Sequence, residues 1–106
     1  MIGNPQKDFL LLLGYNYLKS GKLEKAVTIF LSLYHLYPKS DIYSLCLSYL
    51  YLKLKQYEET LFYAEIYMTN RKGKQKIGRL IKSKALFEMG LVEEAKECAI
   101  KILIQN

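Results

Sequence analysis

Residues 7–40 read KDFLLLLGYNYLKSGKLEKAVTIFLSLYHLYPKS, and this stretch decides the fold. Leucine and aromatic residues recur at helical spacing on both sides of Gly21, which predicts two helices joined by a short turn. Gly21 suits the left-handed conformation that closes a helix, and Pro38 ends the second helix because proline donates no backbone hydrogen bond. Gly14 and Ala26 are small, so we expect the two helices to approach each other closely.

The turn of this hairpin recurs twice along the chain. Its motif is a glycine followed five residues later by an alanine, with lysine and threonine in the middle copy; the copies are Gly21–Ala26, Lys55–Thr60 and Gly90–Ala95. They are spaced by 34 and 35 residues, and a period of 34 with helix–turn–helix texture is typical of tetratricopeptide (TPR) repeats. One inserted residue near Lys74 and Gln75 explains the longer step.

The repeat predicts an all-α protein, with three TPR helix-turn-helix repeats stacked as a short right-handed α-solenoid. We expect a single TPR domain over residues 1–106, with repeats at approximately 7–40, 41–74 and 76–106. The predicted helices cover residues 5–19, 23–36, 41–54, 57–69, 75–89 and 92–105. Asn4 and Pro5 suit the N-cap and the first position of the first helix.

The composition is that of an ordinary globular protein. Hydrophobic residues make up 51% of the chain and charged residues 25%, which argues against disorder. The ten tyrosines suit a surface that is wet in one state and covered in another. The apolar run at residues 9–13 is too short for a secretory leader, and no stretch approaches a membrane span. We therefore expect a soluble intracellular protein that does not insert into membranes.

The first helix of each repeat is expected to line the concave face of the stack. Helical spacing predicts a groove lined by Leu11, Tyr15, Leu18, Ile42, Leu45, Tyr49, Leu52, Ile77, Leu80, Lys84 and Phe87, with Leu12, Cys46 and Ile81 as weaker candidates. The two tyrosines of this groove are 34 residues apart and should stack in register. An apolar groove of this kind fits an amphipathic helix or an extended apolar segment of a partner, and it implies an obligate partner or self-association. The alternative is that some of these residues are interhelical core.

A second candidate surface is basic. The chain has a net charge of +6, and seven basic residues with no acid lie between Arg71 and Lys84. The candidate patch for an acidic partner consists of Arg71, Lys72, Lys74, Lys76 and Arg79. Three interpretations are open: a solvated loop and outer helix face, a surface that meets an acidic partner, and a nucleic-acid site. Basic charge without a matching fold is the weakest part of a nucleic-acid signature, so no nucleic-acid partner is predicted.

No catalytic, cofactor-binding or metal-binding set of residues is predicted. His35 is the one histidine, and two cysteines in distant repeats give it no recognisable metal-ligand spacing. Cys46 lies in an apolar stretch without the flanking cations that lower a thiol pKa. The glutamate pairs at 58–59 and 93–94 follow turns, where carboxylates favour a helix N-terminus. We expect a protein that is not an enzyme and needs no cofactor.

The first repeat resembles the opening of the YscY family, the small TPR chaperones of bacterial type III secretion. The resemblance rests on QKDFLLLLG at 6–14, Leu18, Gly21, EKA at 24–26 and LYP at 36–38, and it is specific over residues 6–38. It implies a cytoplasmic chaperone that forms a heterodimer with a small secreted protein similar to YscX. It further implies that this pair docks to the cytosolic domain of the export-gate protein YscV, at the inner-membrane secretion apparatus.

Other kinds of TPR protein remain open as alternatives. DIYSLCLS at 41–48 and LKQYE at 54–58 resemble the translocator chaperones of the SycD type. Those chaperones usually carry an additional N-terminal helix, which this sequence lacks before its first repeat. A needle-subunit co-chaperone and a generic TPR scaffold outside secretion are the further possibilities.

Overall fold

A computed structural model describes residues 3–70 and 75–104, and within them it contains six α-helices and no β-strand. The helices are α1 (Pro5–Lys19), α2 (Leu23–Leu36), α3 (Ile42–Lys53), α4 (Tyr57–Asn70), α5 (Lys76–Glu88) and α6 (Val92–Ile104). The predicted boundaries agree to within one residue, and the predicted end of the last helix at 105 lies outside the described residues.

Consecutive helices form three hairpins, α1 with α2, α3 with α4, and α5 with α6. The hairpins stack in chain order because α2 contacts α3 and α4 contacts α5, while α3 also contacts α5. The result is elongated, with principal extents of 45 × 29 × 20 Å. The predicted all-α helical-repeat solenoid is therefore confirmed.

The three hairpin turns share one hydrogen-bonding pattern, although only two of them contain glycine. In each turn, the residue after the left-handed position donates its N–H to a carbonyl five residues earlier; the bonds are Lys22 to Tyr17, Gln56 to Tyr51 and Leu91 to Leu86, all 2.9 Å. This is the Schellman arrangement that satisfies the last carbonyls of a helix. The left-handed residues are Gly21, Lys55 and Gly90, with φ of 75°, 62° and 84°.

We expect Lys55→Gly to raise the free energy of unfolding by about 0.5–1 kcal/mol. Lys55 carries a Cβ in the left-handed region, where an L-residue is strained and glycine is not. The measurement is urea unfolding followed by far-UV circular dichroism. Gln56→Gly is the control, because Gln56 has no positive φ and should lose stability from added chain entropy. Equal destabilisation by both glycines would contradict the prediction.

The first hairpin is held by a close contact between α1 and α2. Gly14 is buried, and a Cβ at this position would lie 2.9 Å from Phe30 Cε2 and 3.1 Å from Ile29 Cγ2. The small residue therefore lets the phenyl ring lie directly on the α1 backbone. The same core continues into α3 through Tyr43, Leu47 and other buried residues.

Small residues also mark the later contacts between helices. Ser48 and Thr60 occupy the places of Gly14 and Ala26 in the second repeat, and both are fully buried. Their hydroxyls donate to helical carbonyls, those of Leu45 (2.7 Å) and Gln56 (2.9 Å), so burial leaves neither unpaired. The third hairpin joins the second at Gly78 of α5, where a Cβ would lie 2.5 Å from Met68 Cγ.

Candidate functional site: the face of the first helices

Most of the predicted groove residues present apolar side chains to water. Seven large apolar side chains are exposed, namely Leu11 and Tyr15 on α1, Ile42 and Tyr49 on α3, and Ile77, Leu80 and Phe87 on α5. Tyr15 is 52% exposed and Tyr49 is 42% exposed. Lys84 of α5 is exposed as well. The first helix of every hairpin thus has apolar area that intramolecular packing leaves uncovered.

The remaining predicted groove residues, Leu18, Leu45 and Leu52, are half-buried. Leu18 packs against the core shared by α2 and α3, and Leu45 packs against the cluster of Ala64, Tyr67 and Met68. Of the weaker candidates, Ile81 is buried, Cys46 is half-buried and Leu12 is exposed. The interhelical-core interpretation therefore applies to Leu18, Leu45 and Ile81.

Each of the two groove tyrosines carries a lysine ammonium above its ring. Lys19 Nζ lies 5.4 Å from the ring centroid of Tyr15, and Lys53 Nζ lies 5.4 Å from that of Tyr49. Both distances are within the range of a cation–π contact. The pairs are 34 residues apart, so the repeat places the same aromatic and the same cation at two levels of the stack.

A cavity of about 420 Å³ extends the exposed surface of α5 onto α6. Its lining contains three predicted groove residues and also residues of α6; the full lining is Leu80, Ser83, Lys84, Phe87, Val92, Ala95, Lys96 and Ala99. The predicted groove lies on first helices alone and does not include the α6 side of this cavity. The spacing of Val92, Ala95 and Ala99 along one helical face was the available signal.

Another surface hollow, of about 500 Å³, lies elsewhere, along α4. Every residue that lines it belongs to this one helix: Glu58, Leu61, Phe62, Glu65, Ile66, Thr69 and Asn70. It brings no two elements of the described chain together. We therefore base the candidate site on the first helices, where three elements contribute.

The basic run is partly neutralised by flanking glutamates. Arg71, Lys72 and Lys74 of the predicted patch lie outside the described residues. Of its other two members, Lys76 is exposed, whereas Arg79 is half-buried and donates to Gln75 Oε1 at 2.8 Å. Farther along the run, Lys82 pairs with Glu65 at 2.5 Å and Lys84 with Glu88 at 3.0 Å. The uncompensated positive charge on α5 is therefore smaller than the sequence alone suggests.

The thiols are in environments that suppress their reactivity. Burial raises the pKa of Cys46 to about 11. Burial also raises the pKa of Cys98, although Lys82 and Arg79 act in the opposite direction. Among residues 3–70 and 75–104, no three histidine, cysteine, aspartate or glutamate side chains are grouped so that they could hold a metal ion. Neither of these two thiols is in an environment that would activate it as a nucleophile.

We expect the Cys46 thiol to ionise only near pH 11 in the folded protein. Its ordinary pKa is 9.0, so between pH 9 and 11 the unfolded state binds fewer protons than the folded state. The stability that this group contributes is therefore complete below pH 9 and is lost as pH rises toward 11. The check is iodoacetamide alkylation of a Cys98→Ser variant across this range, with unfolding of the same variant compared against Cys46→Ala in that background. An alkylation midpoint at or below pH 9 would contradict the expectation.

Comparison with known families identifies one region of similarity. The sequence model of the tetratricopeptide repeat family matches residues 8–40, which cover nearly all of the first predicted repeat, most of α1 and all of α2. A comparison with curated proteins gave no significant match. No helix in the described part of the chain combines the length and apolar character needed to cross a bilayer. The match and the six-helix architecture support a small TPR protein whose repeats serve as a protein-binding scaffold.

Proposed function

We propose that this chain is a protein-binding chaperone of a bacterial type III secretion system. It holds a small secreted protein similar to YscX on the face of the first helices, as a helix or an extended segment. It presents that protein to the export gate, whose cytosolic domain is the second partner. The chain acts by binding alone, without catalysis or a cofactor, and its place is the bacterial cytoplasm beside the inner-membrane apparatus.

One observation carries the binding part of this proposal. Exposed apolar side chains lie on all three first helices, and Tyr15 and Tyr49 occur at the same position of successive repeats. A partner that covers them removes apolar area from water, at about 25 cal/mol per Å². Tyrosine suits such a surface because its ring is apolar, its hydroxyl tolerates water, and few side-chain torsions are fixed on binding.

The secretion part of the proposal is supported by the resemblance of residues 6–38 to YscY, and those residues include most of the stretch that matches the TPR family. A chaperone of a secreted protein must keep an aggregation-prone segment covered until export. An apolar surface on a small, positively charged helical repeat suits that task, because it can cover the segment without enclosing the whole partner.

Co-expression with the small proteins encoded beside its gene tests the proposal. We expect one of them to co-purify as a defined complex and to be less soluble when it is expressed alone. A gene neighbourhood that encodes secretion-apparatus components would support the same assignment. A monomeric chain that captures none of these proteins, from a locus without secretion genes, would contradict the secretion role.

A further inference from the structure

The two Tyr–Lys pairs give the exposed face a charge pattern as well as an apolar one. Lys19 and Lys53 are exposed, and in the described part of the chain neither forms an ion pair with a carboxylate. Each ammonium instead lies over a tyrosine ring, which stabilises the cation without neutralising its charge. The first two repeats therefore present uncompensated positive charge beside apolar groove residues.

The third repeat is different at the same two positions. Lys84 takes the place of the tyrosine and Glu88 the place of the lysine, and the two form an ion pair at 3.0 Å. This level of the stack is consequently neutral. The positive edge is confined to the first two repeats, and the apolar surface continues past it to Leu80 and Phe87.

The one acidic side chain on α1 and α3 lies far from this edge. Asp8 is in the first turn of α1, eleven residues before Lys19, which is about 16 Å along a helix. The later repeats place isoleucine at the position of Asp8, namely Ile42 and Ile77. A ligand that crosses α1 and α3 near their C-terminal ends thus meets cations, while one near their N-terminal ends meets mainly apolar side chains.

We propose that the segment bound on this face is amphipathic, with an apolar stripe bordered on one side by acidic residues that meet Lys19 and Lys53. This inference rests on the proposed binding face and adds the chemistry of its partner. Complementary charge of this kind fixes the orientation of a bound chain and speeds its association. The net charge of +6 favours the same class of partner.

The repeat also predicts the spacing of the acidic residues. The axes of helices in direct contact are about 8–10 Å apart. Both α1 and α3 pack against α2, so the two ammonium groups are expected to be at least about this far apart. Two carboxylates seven residues apart on a bound helix are separated by about 10 Å, since a helix rises about 1.5 Å per residue. A helical partner is thus expected to carry Glu or Asp at positions i and i+7, next to leucine or isoleucine at helical spacing.

Three designed helical peptides test this proposal by fluorescence anisotropy. They share one apolar stripe and carry Glu, Gln or Lys at the two positions seven residues apart. We expect the Glu peptide to bind about tenfold more tightly than the Lys peptide at low salt, and the difference to shrink as salt is raised. The preference should be lost in the Lys19→Gln/Lys53→Gln variant.

Lys25→Gln/Lys39→Gln is the matched control, because it removes the same charge from residues on and after α2. Lys25 also lies over a tyrosine ring, that of Tyr17, at 5.7 Å. Equal binding of the three peptides would contradict the acidic-partner inference but would still support binding at the apolar groove. A Glu preference that survives in the Lys19→Gln/Lys53→Gln variant would overturn the role of these lysines. Absence of binding by all three peptides would overturn the groove and the inference together.

Discussion

Phe30→Ala should lower the free energy of unfolding by about 3–5 kcal/mol. Phe30 is 2% exposed and lies directly on the backbone of α1 at Gly14, which has no side chain to fill a void. A domain of this size is stabilised by only about 5–15 kcal/mol, so the loss removes a large part of the total. The measurement is urea unfolding by far-UV circular dichroism at one fixed protein concentration.

Phe62→Ala is the matched control, because it makes the same chemical change at a side chain that is 59% exposed on α4. It should shift stability by less than about 1 kcal/mol, since little packing is lost. If Phe30→Ala costs no more than Phe62→Ala, the packing of α2 on Gly14 does not hold the first hairpin together.

A double-mutant cycle separates packing from helix propensity at this contact. In the native protein, Gly14→Ala gains about 1 kcal/mol of helix propensity but forces its Cβ against Phe30, at a cost of about 1–3 kcal/mol. In the Phe30→Ala background, the clash with the ring is absent. The same substitution should then be more favourable, and additive effects would contradict the close approach of the two helices.

The hairpins were predictable because their signals are local. The turn motif and the capping pair Asn4 and Pro5 each act within a few residues, and the 34-residue step shows that the same turn recurs along the chain. Asn4 Oδ1 accepts from the Lys7 N–H at 3.1 Å, as the sequence predicts. Even Lys55, which replaces the expected glycine, takes the left-handed conformation because the whole turn pattern specifies it.

The division between groove and core could not be predicted from the same signals. Leu11 and Leu45 occupy equivalent positions of successive repeats, yet Leu11 is exposed and Leu45 is half-buried. Leu45 packs on the cluster of Ala64, Tyr67 and Met68 on α4, and α5 contacts the same cluster at Gly78. Tertiary packing of this kind decides burial, and helical periodicity within one repeat carries no information about it.

The positive charge available on the face of the first helices could not be predicted from the sequence for a related reason. The density of basic residues along the sequence is high from Arg71 to Lys84, but Glu65 and Glu88 neutralise part of this charge in the folded protein. Lys19 and Lys53 lie outside that run, and they stand out only once each is seen above a tyrosine ring. Pairing in three dimensions, and not density along the chain, decides where charge remains available.

Tyr15→Ala combined with Tyr49→Ala should weaken capture of the co-expressed secreted partner by about 100-fold. Tyrosines at the centre of an interface commonly cost 1–2 kcal/mol or more each when truncated, and every 1.4 kcal/mol is about tenfold in affinity. The fold should survive because both rings are largely exposed and alanine is the better helix former. Leu45 is unsuitable for this test, since it packs against Met68 and its loss would also affect stability.

The double variant is compared with Phe62→Ala, an exposed aromatic on α4 that lies outside the first helices. Quantitative co-purification, followed by titration of the purified pair, measures the loss of affinity, and circular dichroism verifies that all three proteins are folded. Selective loss in the double variant places the partner on the face of α1 and α3. Full capture by a folded double variant would mean that the two tyrosines do not contribute to the affinity and that the partner binds elsewhere.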